Sequence, residues 1–334
     1  MRETQTQHDL EPTTYVGIDV AKDKLDVTVL RGERSCHRVI ANTPAGFAEL
    51  RTWLSEPAEQ VRVCLEATGS YSDAIVCFLV EQGITVSVLN TAVLVAYRAT
   101  EQVRSKTDAA DAQLLARYGR EKQPPAWHPL PAEIQTLRAL LAHRDDLKQM
   151  LQQERNRLEA GRGTEWTRQQ IQAHVAYLQT QLKQVEQQLW THLKAHAALQ
   201  AIGRRLQTIG GIGVWGAAYL LAHIGEIARF PKVGALVSLA GLAIKARLSG
   251  RTVRGRPLID HHGRRDLRAI LYMCALSAMR HDAHMRAWAQ RLRAAGKPNK
   301  VVIVAVMRKL LHIVYGVWKT QCDYNPQLAF ASAA

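Results

Sequence analysis

Three things are scarce in this chain of 334 residues: paired cysteines, unbroken apolar runs, and acidic residues in the last third. Each shortage narrows what the protein does. The five cysteines, Cys36, Cys64, Cys77, Cys274 and Cys322, are scattered, odd in number and never spaced as CxxC. That pattern argues against a disulfide framework and against a zinc knuckle, and leaves them as small hydrophobes. No unbroken apolar run reaches the roughly 18 residues that cross a bilayer. The polar start MRETQTQHDLEP has no apolar signal core. Together these point to the cytoplasm, with no membrane partner.

The acidic shortage is local. From Ile244 to Leu310 there are 16 Lys plus Arg against 3 Asp, which accounts for most of the net charge of +15. So dense a surface of one sign repels itself unless it meets a polyanion, and nucleic acid is the first candidate. A nucleoid association in the cytoplasm follows from the same reading. Elsewhere the composition, 47% hydrophobic and 22% charged, is that of a globular protein with room for two or three domains.

Tyr15 to Val20 and Lys24 to Leu30 are β-rich runs joined by a tight polar turn, and Cys36 to Ile40 reads as a third strand. A helix over 43–54, a strand over 61–65 ending in Glu66, a helix over 70–82 and a strand over 84–89 follow. Three antiparallel strands leading into parallel αβ units predict a mixed sheet with helices on its faces. The stretch RSKTDAADAQLLARY, residues 104–118, then supplies a helix capped by Thr107. Its Asp108 and Asp111 lie one turn apart on one face. Two such carboxylates suit a hard divalent cation, or are simply acidic residues favoured at a solvated helix N-terminus. Asp19 and Glu66 are carboxylates in otherwise apolar strand sequence, which is costly unless they are paired or metal-bound. For Asp19 alone, a place at the chain reversal of Ala21 to Asp23 is the competing explanation.

QPPAWHPLP, residues 123–131, is a stiff boundary. Beyond it two long helical segments, 133–160 and 166–201, flank GRG at 161–163. The second carries apolar residues at 3-4 spacing through Ile171, Val175, Leu178, Leu182, Val185, Leu189, His192, His196 and Leu199, a coiled-coil seam of about four heptads. It predicts an antiparallel helical hairpin that pairs with itself or with another subunit, and so a homo-oligomer, dimer or tetramer. His192 and His196 at i and i+4 read as register-setting polar residues more than as metal ligands.

Gly211, Gly213 and Gly216 form a GxGxxG string, but a helix precedes it rather than a strand, and no acidic residue follows at the right distance for a dinucleotide site. A glycine turn between two short helices fits better. Backbone N–H groups at Gly211 and Gly213 then face a DNA phosphate, as in a helix-hairpin-helix. Further on, Ser249-Gly250 lies in a polar loop among Arg247, Arg251, Arg254 and Arg256, with Arg264, Arg265 and Arg268 opening the next helix. A serine there contacts a phosphate, or attacks one where cations stabilise the phosphoryl oxygens.

GIDVAKDKLDV, LEATGSY and RSKTDAADAQLLARY, followed by Ser249-Gly250, Arg254-Gly255 and the LRAILY run 267–272, resemble the insertion-sequence-110 type of DEDD transposases, which includes the Piv pilin-gene invertases. The resemblance covers Tyr15 to about Trp318. It implies a RuvC-like, ribonuclease H type N-terminal domain over 14–125, with Asp19, Glu66, Asp108 and Asp111 as the four acidic residues of a Mg²⁺ site. It implies a transposase domain over 202–320 in which Ser249 forms a covalent bond to double-stranded DNA, element ends and target alike. It further implies guidance by a structured RNA. One departure is Ile259-Asp260-His261-His262-Gly263, where the family commonly carries an ISK-like tripeptide. The lysine is absent, and with it the phosphate contact the resemblance implies for it, which leaves Arg264, Arg265 and His261 as candidates to replace it. The whole expectation is α/β plus all-α: tail 1–13, mixed-sheet domain, coiled-coil connector over 132–201, mainly helical basic domain with the helix-hairpin-helix-like segment, and tail 321–334. The rival functions are a Mg²⁺-dependent hydrolytic nuclease of the Holliday-junction kind and a non-enzymatic DNA-binding protein.

Overall fold

Alternating and continuous apolar runs build a five-stranded sheet from β1 (Thr14–Val20), β2 (Lys24–Arg31), β3 (Arg34–Ala41), β4 (Val61–Glu66) and β5 (Thr85–Leu89). The structure, a computed structural model, describes residues 14–67, 69–102, 107–245, 248–249, 253–254, 258–260 and 263–330. For Ser70, Lys245, Leu248, Ser249, Val253 and Arg254 it describes the backbone alone. The expected tail 1–13 lies outside the described residues.

Strand order is β3-β2-β1-β4-β5. The pairs β1/β2 and β2/β3 are antiparallel, and β1/β4 and β4/β5 are parallel. This is the mixed sheet that the sequence leads one to expect. Strand side chains alternate between faces. Val16, Ile18, Val63 and Leu65 join a core with α1 (Pro44–Leu54) and α2 (Asp73–Glu81). The opposite face is covered by α3 (Thr91–Thr100) and α4 (Asp108–Lys122), where Leu94, Tyr97, Leu114 and Leu115 pack with Cys64 and Leu89. Burying one such leucine stabilises the fold by roughly 1.5–3 kcal/mol.

Close approach of α4 to the sheet depends on Gly17. A Cβ there would lie 2.0 Å from the Ala112 carbonyl oxygen and 2.4 Å from the Ala116 nitrogen. No other residue lets the helix backbone lie on β1. After α4 the chain turns at Gln123, whose φ is +42°, and runs beside β5. Ser87 Oγ donates to the Pro124 carbonyl at 2.9 Å, and the Trp127 N–H donates to Val86 at 2.6 Å.

The chain divides into two compact units, Met1–Pro129 and Leu130–Ala334. In the second, α5 (Ala132–Glu159) and α6 (Glu165–Ala195) form the long hairpin. Leu147 and Leu151 meet Leu178 and Val185 along its seam, with Val175 and Leu182 half-buried beside them. Arg144 is buried in this unit, its Nε 2.8 Å from Glu186 and its guanidinium 3.9 Å from the Trp215 ring centroid. The helix expected to run unbroken over 166–201 stops at His196, whose φ −113° and ψ 92° are extended. There His192 Nε2 lies 2.7 Å from the Glu133 carbonyl and His196 Nδ1 lies 2.9 Å from the His192 carbonyl.

The chain continues through α7 (Ala197–Gln207), α8 (Val214–Ile224) and α9 (Val233–Leu239). Next come four two-residue strands, β6 (Ile244–Lys245), β7 (Leu248–Ser249), β8 (Val253–Arg254) and β9 (Leu258–Ile259). They are followed by α10 (Arg265–His281), α11 (Ala283–Ala294), α12 (Asn299–Thr320) and α13 (Pro326–Phe330). One apolar core joins Leu137, Leu141 and Leu189 of the hairpin to α7, α8, α10 and α12. The hairpin therefore belongs with the helical region in one unit rather than standing as a separate connector.

One expectation changes here. The segment around Ser249, read as an exposed polar loop, carries a pair of nested antiparallel ladders, β6/β9 outside and β7/β8 inside. Helix α12, 22 residues, is long and apolar enough to cross a membrane by length and composition, but Arg308 and Lys309 interrupt its apolar run. Its Val302, Val306, Leu310 and Val314 are buried in the unit's own core.

Candidate active site

Asp19 and Glu66 reach the same end of the sheet because β1 and β4 run parallel in register, with Ile18 paired to Leu65 one step before them. Asp19 shares the sheet face of Gly17, and Glu66 that of Cys64, which a Cβ on Gly119 of α4 would touch at 3.2 Å. Both carboxylates thus lie on the side that α4 covers. The Thr107 hydroxyl caps α4 by accepting from the Ala110 N–H at 3.2 Å, and this sets Asp108 and Asp111 in the first turn. The structure brings together the four carboxylates singled out from the sequence.

Their electrostatics are those of crowded like charges. Burial and, in decreasing order, Asp111, Asp108, Glu66 and Asp26 raise the Asp19 carboxyl from 3.8 to about 6. Its carboxylate has no hydrogen-bond or ion-pair partner among the described residues. Asp108, 57% exposed at its side chain, accepts from Lys24 Nζ at 2.7 Å, which holds its carboxyl below the usual carboxylate range. Asp111, 14% exposed, is paired with Arg98 of α3.

Three members of this cluster are absent from the sequence reading: Asp26, Lys24 and Arg98. Asp26 is the antiparallel partner of Asp19. It is buried, with Lys24 Nζ at 2.9 Å and His37 Nε2 at 3.2 Å. The KDKLDV alternation puts Lys24 and Asp26 on one face, a signal present in the sequence but readable only with the β1/β2 register. Among the described residues, five carboxylates face two basic side chains and one imidazole.

This donor set is hard oxygen chemistry with surplus negative charge, which fits a divalent cation better than a soft one. Among the described residues, however, no three His, Cys, Asp or Glu side chains are drawn into a single ion's ligand shell. Lys24 and Arg98 occupy Asp108 and Asp111 instead.

In the second unit, the backbone sets Ser249 opposite Val253 and Leu248 opposite Arg254. The side chains of Ser249 and Arg254 lie outside the described residues, as do Arg247, Arg251 and Arg256 entirely. Arg264 is the N-cap of α10 and Arg265 opens it at the surface. Arg268 is used within the fold. Its Nη1 donates to Gly263 at 2.9 Å and to Ala240 at 3.3 Å, closing the contact of Gly263 on Gly241. Gly211, at φ +97°, is needed for packing, because a Cβ there would lie 2.3 Å from the Ala278 nitrogen. Gly213 caps α8 with open space around it.

Comparison with known proteins matches these two halves separately and then together. A DEDD transposase description of the IS110 type covers residues 16–161, and the transposase IS116/IS110/IS902 family covers residues 203–290. The pilin gene-inverting protein of Moraxella bovis is 32% identical over 320 residues, 94% of this chain and 98% of that protein. The insertion element IS900 42 kDa protein of Mycobacterium paratuberculosis is 33% identical over 124 residues, 37% of this chain and 31% of that protein. Among solved structures, T. thermophilus RuvC in complex with a Holliday junction substrate aligns with 34% of this chain and 99% of its own, at 13% identity and a TM-score of 0.26. The near full-length match in both directions shows that the chain belongs to the IS110-type DEDD transposases, a family of DNA-rearranging enzymes.

Proposed function

We propose that the chain cuts and rejoins double-stranded DNA through a serine–phosphodiester intermediate, with Asp19, Glu66, Asp108 and Asp111 holding Mg²⁺. The observation that carries the metal half is the convergence of these carboxylates on α4 and two strand ends, with Asp19 raised to about 6 by burial and its neighbours. Bound Mg²⁺ supplies Lewis-acid polarisation of a phosphoryl oxygen. The protein's own part is to present Ser249 on the inner ladder of the basic unit, with Arg247, Arg251, Arg254 and Arg256 close to it in sequence.

The Ser249 Oγ attacks phosphorus. The bond to the leaving sugar oxygen breaks, the serine loses its proton and the leaving oxygen gains one. The free hydroxyl of a partner strand later attacks the same phosphorus and releases the serine. Arg264 and Arg265, with the backbone at Gly211 and Gly213, bind phosphates along the duplex.

A structured RNA shares the basic surface as guide, and further copies of the chain join along the α5/α6 hairpin. That hairpin leaves Trp166 at 69% and Tyr177 at 59% exposure, which suits burial against another copy. The chain works in the cytoplasm on the nucleoid.

A second reading has one observation in its favour. A carboxyl at about 6 is well placed as a proton acceptor near neutral pH, which a hydrolytic nuclease uses to activate water. One gel separates the two readings. With DNA and RNA from the gene's own locus and Mg²⁺, the wild type is expected to give a covalent protein–DNA adduct that is absent from Ser249→Ala and Asp108→Ala. Cleavage without adduct, persisting in Ser249→Ala, leaves the hydrolytic nuclease.

A further inference from the structure

The nested ladders that carry Ser249 end at a cavity that the proposed chemistry does not use. Its volume is about 660 Å³, within the range of small-ligand sites. Ile244 of β6 and Leu258 of β9 form one wall, Val301 and Val304 of α12 the floor, and Trp288 of α11 and His312 of α12 contribute flat rings. Ile244, Leu258 and Val301 are more than half exposed, an unusual concentration of bare apolar surface on one site.

The charge around this apolar lining has one sign. Lys300, Arg308 and Lys309 border the cavity and, among the described residues, no acidic one does. Arg308 Nη1 donates to the Leu242 carbonyl at 3.0 Å, and Lys309 Nζ donates to the Ala329 carbonyl while lying 4.8 Å over the Phe330 ring. Both cations are thereby fixed in place, whereas Lys300 is exposed. Burial first, then Arg308 and Lys309, lower the pKa of His312, which keeps its ring neutral and able to stack.

An apolar, aromatic-walled cavity with a purely cationic border has the chemistry of one unpaired nucleotide: the base enters and its phosphate stays at the rim. A second copy of the chain is the competing occupant, and the test below separates the two. We infer that this cavity, formed by β6, β9, α11 and α12, receives a DNA base unstacked from the duplex, next to the strands that present Ser249. Taking a base out of the stack costs free energy, which stacking on aromatic side chains offsets. The inference rests on the reading of the chain as a DNA-cutting enzyme and adds to it a base-holding site.

The test uses the full chain and two fluorescein-labelled single-stranded DNAs of about 20 nucleotides, identical except that one carries abasic sites in its middle. Binding is read by fluorescence anisotropy. The wild type is expected to bind the base-bearing strand about tenfold more tightly than the abasic one. Trp288→Ala should bring that ratio close to one. Because Trp288 also packs against the core, Val301→Met is the second variant. It narrows the cavity from an exposed position without changing charge or adding a stacking ring, and is expected to lower the ratio several-fold while leaving affinity for the abasic strand unchanged. Equal binding of both strands by wild type that still forms the Ser249 adduct overturns the cavity assignment alone. Failure to bind either strand overturns the DNA reading with it. A preference seen on the matching RNA strand and absent on DNA assigns the cavity to RNA, and a change in sedimentation of Val301→Met with no change in ratio assigns it to another copy of the chain. Either result overturns the inference.

Discussion

Asp19 and Asp26 face each other across the antiparallel pair of β1 and β2, both turned toward α4. Like charges directly opposite on neighbouring strands repel. The pair is tolerated because the two environments differ: Asp26 is buried with Lys24 and His37 on its oxygens, whereas Asp19 has three further carboxylates around it.

The consequence for stability has a defined sign. Asp19 titrates at about 6 in the folded chain against an ordinary value of 3.8. Between those values the folded state keeps a proton that the unfolded state has lost, so this group's contribution falls as pH rises from about 4 to about 6 and stays low above. Asp19→Asn is expected to stabilise the metal-free protein at pH 7.5 by about 1 kcal/mol, since water screens part of the repulsion at a half-buried carboxylate. At pH 3.5 the gain should vanish. Urea unfolding in EDTA at the two pH values checks this, and an equal gain at both counts against the crowding described.

Lys24 holds two of the acidic groups at once, Asp26 at 2.9 Å and Asp108 at 2.7 Å. Its ammonium therefore competes with any divalent cation for Asp108. Lys24→Met keeps most of the length of the side chain and removes the charge. Mg²⁺ is expected to bind several-fold more tightly to this variant in calorimetric titration. The Asp19 carboxyl should also titrate above its wild-type value by carbon-13 NMR. Unchanged Mg²⁺ affinity would remove Lys24 from the site.

Gly17 decides whether α4 reaches the sheet at all. A methyl group there meets backbone on two sides, at 2.0 and 2.4 Å, and backbone cannot rotate away as a side chain does. Gly17→Ala is expected to cost about 1–3 kcal/mol or more, the scale of core overpacking. Adduct formation should fall further than the unfolded fraction explains, because Asp108 and Asp111 move with α4. Adduct yield measured well below the unfolding midpoint separates the two effects.

Much of the N-terminal unit is legible in the chain. Strand periodicity, the Thr107 cap and carboxylates set in apolar strands are local signals, and they lead to Asp19, Glu66, Asp108 and Asp111. Lys24, Asp26 and Arg98 escape such a reading, because their roles arise from cross-strand register and from α3 packing on α4, which no local pattern encodes. The break at His196 is hidden by an apolar spacing that continues through it to Leu199. The ladders around Ser249 are hidden because two-residue strands are too short to show an alternation. Gly211 illustrates the converse: a glycine assigned to phosphate contact has a sufficient reason in its approach to α10.

The parallel pairing of β1 with β4 also governs when the acidic cluster exists. Thr14 pairs with Val61 and Ile18 with Leu65, with two more strands and a helix threaded between them in sequence. Such long-range pairing closes late and slowly compared with local hairpins. Until it closes, Asp19, Glu66 and Asp111 are distant points on a chain, and the nascent polypeptide carries no concentrated acidic centre. On the proposed function, cleavage therefore waits on the closing of β1 against β4.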